Sequence, residues 1–212
     1  MRPQHRASVT LPFFHKVIRL SLILASSSFI RRQMLDAAGV DFAAVPAKVD
    51  EAAIKAQLSG PKDIACKLAQ AKALDVSVNH LDDWVAGSDS IVAVNDRLFD
   101  KPLNREQAAE HLRFFSGKEM RLTSAVALAR RGAVDWSHTE TATLQVRPLS
   151  PNFIQSYLDA EWPDVGYCVG VFRLEGRGVQ LFEEIEGNYF TILGMPLLPL
   201  LGALRDRGLL QS

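Results

Sequence analysis

The sequence predicts an α/β fold in which helices flank a mixed, partly antiparallel sheet. In the first half of the chain, short apolar runs that suit strands alternate with segments whose apolar residues recur at helical spacing. In the second half, strand-like runs follow one another across turn residues, as in hairpins. Alternation favours parallel strands joined by helices, and hairpins favour antiparallel neighbours, so we expect one sheet that contains both.

Strands and helices alternate over the first half of the chain. An apolar run suits a short buried strand near residue 22, and Gly39 is placed to end the helix that follows it. Asn104 stands where a helix N-cap is expected. The polar segment GSDS, residues 87–90, is expected to interrupt the strand that contains it. The predicted order is strand 21–25, helix 28–38, strand 42–46, helix 62–78, strand Trp84–Val94 and helix Arg105–Phe115.

Paired strands dominate the second half of the chain. Two strand-like runs, 120–130 and 136–147, flank the turn sequence RRGAVD and predict a β-hairpin. A helix is predicted at 151–160, followed by a second strand pair, 167–173 and 179–185, around the sequence LEGRG. Pro196 marks the start of a final helix at 197–207.

Composition narrows the class of function. The 24 Lys and Arg side chains are balanced by 24 Asp and Glu side chains, which argues against a nucleic-acid partner because such binding depends on excess positive charge. A small anionic ligand held by a few local cations remains compatible with this balance. The two cysteines, Cys66 and Cys168, have neither metal-site spacing nor a disulfide pattern, and we expect them to be reduced thiols.

The N-terminal segment 1–19 is basic, and its apolar residues are interrupted by Pro12, His15, Lys16 and Arg19. This pattern lacks the apolar core of a signal peptide, and no window of the chain has the length of a transmembrane helix. We therefore expect residues 1–19 to be an extension outside the fold, disordered or derived from an upstream start. The protein is expected to be cytoplasmic, with no membrane partner.

The segment LILASSSFIRR, residues 22–32, combines a buried strand, a serine-rich turn and a helix start. Free backbone N–H groups at a helix start bind anions, and Ser26, Arg31 and Arg32 would add hydroxyl and guanidinium donors. The alternative is that Ser28 is a helix N-cap and that both arginines are solvated. Taken alone, the segment favours the alternative, because single short motifs are weak signals.

Asp89 is the least ordinary acidic residue of the chain, because it interrupts an apolar strand. A buried carboxylate is costly unless it meets a cation or a metal ion. The small neighbours Gly87, Ser88 and Ser90 leave room for a ligand to approach. The alternative is a carboxylate that caps a local turn.

Three further charged residues are candidates whose individual signals are weaker. Lys72 lies on an alanine-rich helix face, and Lys101 precedes Pro102 in a stiffened turn, yet a single lysine is more often a surface charge. Glu51, beside Asp50, could supply an oxygen ligand for Mg²⁺ or Mn²⁺, or be an ordinary charge at the start of a helix.

Together, these segments resemble the Maf family of nucleoside triphosphate pyrophosphatases. In chain order, the resemblance is carried by LILASSSFIRRQML, VDE, LAQAKA, GSDSIV, DKPL, FFSGKEMRLTSAVAL and EGRGVQLFEEIEGNYFTILGMPL. It implies an inosine-triphosphatase-like fold with two lobes around a cleft, in a single catalytic domain over residues 20–212. It also implies a cytoplasmic homodimer that hydrolyses a nucleoside triphosphate to the monophosphate and pyrophosphate with Mg²⁺ or Mn²⁺.

The resemblance assigns roles to the residues that match the family motifs. Attack on a phosphoanhydride needs an oriented water, a Lewis acid and cations where charge builds on the leaving group. The implied roles are triphosphate binding for Ser26, Arg31 and Arg32, metal binding for Glu51 and Asp89, proton acceptance for Asp89, and charge neutralisation for Lys72 and Lys101.

Departures from the family pattern bear on the base. Phe29 and Ile30 stand where the family has proline and then arginine or a bulky residue. Glu175 replaces the glutamine of the dTTP/UTP branch and resembles the 7-methyl-GTP branch, since a carboxylate accepts the N1–H and N2–H donors of guanine. However, Ile30 has no aromatic face for a cationic base, and Ser90 is smaller than that branch's amide. We predict a guanine-type or relaxed preference in nucleotide housecleaning, with dTTP and UTP as alternative substrates.

A nucleotide-binding regulator of septum formation, without significant turnover, is the rival hypothesis, because the family has been linked to cell division. Asp89 favours catalysis over this rival. A carboxylate close to phosphates repels them unless a metal ion lies between.

Overall fold

The computed structural model describes residues 21–211, so the predicted extension over residues 1–19 lies outside the described residues. Within residues 21–211, no helix is both long enough and apolar enough to cross a bilayer. Two short 3₁₀ turns, Asp164–Tyr167 and Arg177–Leu181, accompany the main elements. These elements are β1 (Leu22–Leu24), α1 (Phe29–Ala37), β2 (Ala43–Ala44), α2 (Glu51–Ala56), α3 (Pro61–Ser77), β3 (Trp84–Val94), β4 (Arg97–Phe99), α4 (Arg105–Phe115), β5 (Glu119–Arg130), β6 (Ala133–Val146), α5 (Pro151–Glu161), β7 (Phe182–Glu186), α6 (Tyr189–Ile192) and α7 (Leu197–Asp206).

Seven strands form one mixed sheet, which confirms the predicted fold class. The order is β2-β1-β3-β5-β6-β7, with β2, β1 and β3 parallel and the remaining neighbours antiparallel. On the edge of β3 away from β5, β1 pairs with the beginning of β3 and β4 pairs with its end. Among the described residues, no strand covers residues 87–91 on that edge. The sheet therefore has a gap there, comparable to the crevice at which open α/β sheets bind ligands.

Side chains of β3 alternate between the two faces of the sheet. Ile91 packs with α3 in one core cluster, whereas Trp84 packs with α1 and α7 in another. Asp89 has the parity of Ile91 and faces α3. Ser88 and Ser90 have the parity of Trp84 and face the opposite side. Because of this alternation, Asp89 contacts residues on the α3 side of the sheet, whereas Ser88 and Ser90 contact residues on the other side.

The third helix lies very close to β3 because residue 87 is glycine. A Cβ atom at Gly87 would lie 2.2 Å from the carbonyl oxygen of Ala69 and 2.5 Å from the amide nitrogen of Ala73, both in the backbone of α3. No other residue type fits this contact without moving α3. The approach brings Lys72, the residue before Ala73, against the middle of β3.

Most of the predicted elements are present. The β5–β6 hairpin is confirmed, and its turn contains Arg131 and Gly132 at φ values of 53° and 73°. The five longest helices, α1, α3, α4, α5 and α7, occupy the predicted segments. The side chain of Asn104 caps α4 as expected and accepts a hydrogen bond from the amide of Gln107 at 2.8 Å.

Two predictions for the strands are wrong. β3 continues through residues 87–90 because its pairing with β5 uses backbone groups, with Asp89 opposite Ala125. The second strand pair does not form, since only Phe182–Glu186 is a strand and its partner is β6. Gly170 and Val171 have φ values of 147° and 57°, which extended strands do not adopt. The segment 164–176 is therefore not paired in the sheet, and part of it forms a wall of the cleft.

Three short elements were not predicted. The six residues of α2 include no buried side chain, so the helix has no apolar period in the sequence. The strand β4 has three residues and the helix α6 has four, which is too short for periodicity to be detected.

We expect Gly87→Ala to lower the free energy of unfolding by about 2 kcal/mol or more, because its Cβ atom would displace the backbone of α3. Urea unfolding followed by circular dichroism measures this change. Gly202→Ala is the matched control, since nothing lies within 4 Å of the Cβ position at Gly202 in α7. Helix propensity there predicts a gain of about 0.5–1 kcal/mol. Equal, small effects at the two positions would contradict a close approach of α3.

Candidate active site

A cleft of about 1020 Å³ opens beside the gap in the edge of β3. Its first wall is the serine-rich loop with the start of α1, residues 25–31 and Gln33, and parts of the segment 46–55. Its second wall comes from residues 164–176 and from the turn after α6, residues 192–194. Lys72, Asp89 and Lys101 also line the cleft. The cleft therefore gathers segments that are far apart in the sequence.

One ammonium group lies between two carboxylates in the cleft. Nζ of Lys72 is 2.5 Å from Oδ1 of Asp89 and 2.7 Å from Oε1 of Glu51. Asp89 is only 7% exposed, so the nearby positive charge offsets the cost of removing its carboxylate from water. The structure thus brings three of the predicted residues together from α2, α3 and β3.

Surrounding lysines keep Glu51 ionised. Partial burial raises the pKa of its carboxyl group, but the hydrogen bond and charge of Lys72, together with Lys55 and Lys101, outweigh burial and leave the pKa below its usual value. A depressed pKa means that this interaction stabilises the fold above the pKa of the unfolded chain and is lost as the pH falls through the lower folded value. At neutral pH, Glu51 is therefore an anion.

Two further lysines stand at the cleft. Lys101 lines it with an exposed side chain. Lys55 also lines it and forms an ion pair with Asp100. Lys55 was missed by sequence reasoning, although its spacing of four residues from Glu51 on a helix was an available signal.

Arg31 links the cleft walls through four hydrogen bonds. Its Nε donates to the carbonyl oxygen of Gly194 at 2.9 Å and its Nη1 to that of Ser88 at 2.8 Å. Further bonds reach Oγ of Ser26 at 3.5 Å and Oγ of Ser90 at 3.2 Å. Burial lowers the pKa of the guanidinium, and the Asp89 and Glu51 carboxylates oppose that shift. A guanidinium has five N–H donors, and Arg31 uses most of them in hydrogen bonds to the protein itself.

The serine-rich loop leaves a helix start available for an anion. Ser26 is buried, and its Oγ accepts a hydrogen bond from the amide of Ser28 at 3.1 Å. Ser28 occupies the N-cap position of α1, but its side chain makes no capping bond. The amides of the first turn therefore lack a side-chain partner from this residue, and such amides bind anions.

Arg32 is the one predicted site residue that the structure does not bring to the cleft. It is absent from the residues of the described part that line the cleft, whereas Arg31 is among them. Each step along a helix rotates the side-chain direction by about 100°. The two arginines therefore point to different sides of α1, and the geometry gives the phosphate-binding assignment of Arg32 no support.

The three residues predicted to set base preference all line the cleft. Ile30 is half-buried and Glu175 is exposed. Ser90 is engaged by the protein, with its Oγ 2.8 Å from that of Ser124 and donating to the Gly194 carbonyl at 3.1 Å. Ser90 thus belongs to the network that holds the turn after α6.

A partly buried ion pair that sequence reasoning missed tethers the second wall. Arg173 donates to Glu161 at 3.2 Å and to Asp164 at 2.9 Å, and Glu161 is 7% exposed. No sequence pattern marks this pairing. The carbonyl of Gly194 was also missed, although the sequence LGMP around it lies in the last segment that resembles the Maf family.

Fold and cleft together define a class of protein. The mixed sheet has a gap at β3, a helix start and serine loop suited to an anion lie beside it, and a lysine joins two carboxylates in the same cleft. This combination is typical of α/β proteins that bind a phosphate-bearing ligand at a crevice of the sheet.

Comparison with known proteins gives the family. The family model described as "Maf-like protein" matches residues 21–207, and the chain therefore belongs to the Maf family. A 7-methyl-GTP pyrophosphatase of Rhizobium etli is 49% identical over 195 residues, covering 90% of this chain and 98% of that protein. A nucleoside triphosphate pyrophosphatase of Bradyrhizobium diazoefficiens is 45% identical over 191 residues, covering 89% and 95%.

Among solved structures, a dITP/XTP pyrophosphatase from Mycobacterium abscessus aligns with 90% of this chain and 96% of its own. The TM-score is 0.43 and the sequence identity is 16%.

We expect Arg31→Lys to lower the free energy of unfolding by about 2–4 kcal/mol, because a lysine replaces the fork that joins Gly194, Ser88 and Ser26. Thermal and urea unfolding measure the effect. Arg32→Lys is the matched control on the same helix and should change stability by less than about 0.5 kcal/mol. Equal losses for the two variants would contradict the positioning role of Arg31.

Proposed function

We propose that this chain hydrolyses a nucleoside triphosphate to the monophosphate and pyrophosphate, with a preference for guanine-type bases and for 7-methyl-GTP in particular. The observation that carries the proposal is the pair of carboxylates, Glu51 and Asp89, joined by Lys72 in a cleft whose wall is an anion-accepting helix start. The names of the relatives from Rhizobium etli and Bradyrhizobium diazoefficiens support it.

The donor set fits a divalent metal that arrives with its substrate. Glu51 and Asp89 both reach a single cationic group, Nζ of Lys72, so their oxygens converge on one point. Within residues 21–211, no group of three or more His, Cys, Asp and Glu side chains could hold a metal ion by itself. Magnesium is typically bound by one or two carboxylates plus substrate phosphates. Glu51 and Asp89 would hold it, and the ion would supply Lewis acidity to the phosphate oxygens.

The chain's own groups suit attack by water on the α-phosphorus. Oδ1 of Asp89 accepts from Lys72, and among the described residues no hydrogen bond occupies Oδ2. Asp89 would take a proton from the attacking water while the bond between the α-phosphorus and the bridging oxygen breaks. The electron pair of that bond leaves with pyrophosphate, whose charge Lys72 and Lys101 would neutralise. The helix start behind Ser26 would hold the phosphate chain.

Glu175 supports a guanine-type base. Its exposed carboxylate lines the cleft and accepts hydrogen bonds without donating any, which matches the adjacent N1–H and N2–H₂ donors of guanine. The alternating acceptors and N–H donor of uracil or thymine match a carboxylate less well. This contrast favours guanine over the alternative substrates dTTP and UTP.

Further predictions accompany this function. The homodimer, the cytoplasmic location and the single catalytic domain over residues 20–212 follow from the family resemblance, and each stays a prediction.

The reaction is tested by measuring pyrophosphate release from a panel of nucleoside triphosphates with Mg²⁺ or Mn²⁺. We expect release from 7-methyl-GTP and GTP to exceed that from dTTP and UTP. Asp89→Asn should slow release by about 100-fold or more, because the amide cannot take the proton. Asp206→Asn, which changes an exposed carboxylate of α7, is the matched control and should leave the rate unchanged.

Two outcomes would overturn these assignments. Unchanged turnover in Asp89→Asn would remove Asp89 as the proton acceptor. Absence of turnover on every nucleotide of the panel would favour the rival function, a nucleotide-binding regulator.

We also expect Lys72→Met to bind Mn²⁺ at least about tenfold more tightly than wild type when no nucleotide is present, a gain of about 1.4 kcal/mol. The variant frees both carboxylates from the ammonium group that now joins them. Calorimetric titration or the paramagnetic resonance of Mn²⁺ measures the affinity. Lys101→Met is the matched comparison, because Lys101 carries a nearby positive charge but makes no hydrogen bond to either carboxylate. It shows how much of any change in Mn²⁺ affinity comes from the loss of a positive charge alone. Equal affinities in the two variants would show that Lys72 does not compete with the metal.

A further inference from the structure

Two exposed aromatic side chains line the cleft, and the function outlined above uses neither. Phe29 is 67% exposed and Tyr167 is 75% exposed. Of the ten large hydrophobic residues that are exposed in the described part of the chain, only these two line the cleft. Exposed aromatic carbon in a concave site is typical of a surface that a ligand covers.

Neither ring is stacked on another aromatic ring or on a cation within the described part of the chain. Among the described residues, the ring pairs and the cations stacked on rings include neither Phe29 nor Tyr167. Tyr189, by contrast, is exposed but packs edge-on against Phe190 and lies away from the cleft. The faces of Phe29 and Tyr167 are therefore available for stacking.

Each ring projects from an anchored backbone. Phe29 is the first residue of α1, two positions before the Arg31 network. Tyr167 ends the 3₁₀ turn that begins at Asp164, and Asp164 is held by Arg173, which also pairs with the buried Glu161. Little backbone ordering is then required when a ligand binds, which favours affinity.

Glu175 shares the second wall with Tyr167. Tyr167 and Glu175 both line the cleft from the segment 164–176, and both side chains are exposed. A hydrogen-bond acceptor suited to guanine and an aromatic face therefore belong to the same wall of the cleft.

We propose that Phe29 and Tyr167 form an aromatic surface that selects the cationic 7-methylguanine base over neutral guanine. This inference rests on the proposed function and deepens it. Methylation at N7 gives the base a positive charge, and a cation over an aromatic face gains an attraction that a neutral ring lacks. Glu175 favours guanine over pyrimidine bases, whereas the two aromatic rings favour the methylated over the unmethylated purine. The aromatic face that Ile30 does not provide is supplied by its neighbour Phe29.

The test compares kcat/KM on 7-methyl-GTP and GTP for the wild type, Phe29→Leu, Tyr167→Leu and the double variant. We expect each single change to lower the ratio of the two values by about fivefold, and the double variant to lower it further. The loss should appear in KM with kcat unchanged, because base binding contributes equally to ground state and transition state. Tyr167→Phe keeps the ring and should keep the ratio, and Tyr189→Leu is the control for an aromatic residue outside the cleft.

A binding measurement separates failure of this inference from failure of the proposed function. Calorimetric titration with 7-methyl-GMP and GMP requires no turnover, and the wild type should bind the methylated nucleotide more tightly. Loss of that preference in the leucine variants supports the aromatic surface even if no triphosphate is hydrolysed. Equal binding of the two nucleotides by the wild type would overturn the inference, as would a preference that survives in the double variant. Hydrolysis of neither triphosphate would overturn the proposed function alone.

Discussion

The ammonium group of Lys72 between Asp89 and Glu51 is the interaction on which the rest of the site depends. A carboxylate as buried as Asp89 is destabilising without a cation in contact. Lys72 reaches it only because α3 packs directly on the backbone of β3 at Gly87. The same contact draws Glu51 to the cluster from the unpredicted helix α2. One glycine thus sets the distance at which the charged groups of the cleft can meet.

The alternation of β3 explains why two cations serve different purposes in one cleft. Asp89 faces α3 and meets Lys72, whereas Ser88 and Ser90 face the turn after α6. Arg31 lies on this second side and binds carbonyl oxygens of Ser88 and Gly194. Its hydrogen bonds fix the positions of the serine-rich loop, β3 and the turn after α6 relative to one another. The gap between β1 and β4 leaves this edge of β3 accessible to the side chains of both Lys72 and Arg31.

The groups suited to phosphate lie on the first wall, whereas the groups proposed to recognise the base come from both walls. The charged cluster and the helix start lie on the wall nearest α1, α2 and α3, and they are suited to any triphosphate. The segment 164–176 carries Tyr167 and Glu175, and the ion pair between the buried Glu161 and Arg173 anchors it to α5. Phe29 reaches the cleft from the first wall. Substitutions in the second wall can therefore change the preferred base without altering the groups that act on phosphate.

The sequence by itself determined the fold class, the five long helices, the β5–β6 hairpin and the unusual position of Asp89, a carboxylate within an apolar strand. These depend on local periodicity or on one residue against its neighbours, and both are visible along the chain. Only the tertiary structure decided that Asp89 meets Lys72 and Glu51, that Arg31 enters the cleft while Arg32 does not, and that residues 167–173 do not form a strand. The reason is physical: each outcome depends on contacts between segments distant in sequence, such as the close approach of α3 at Gly87, and no local pattern records them.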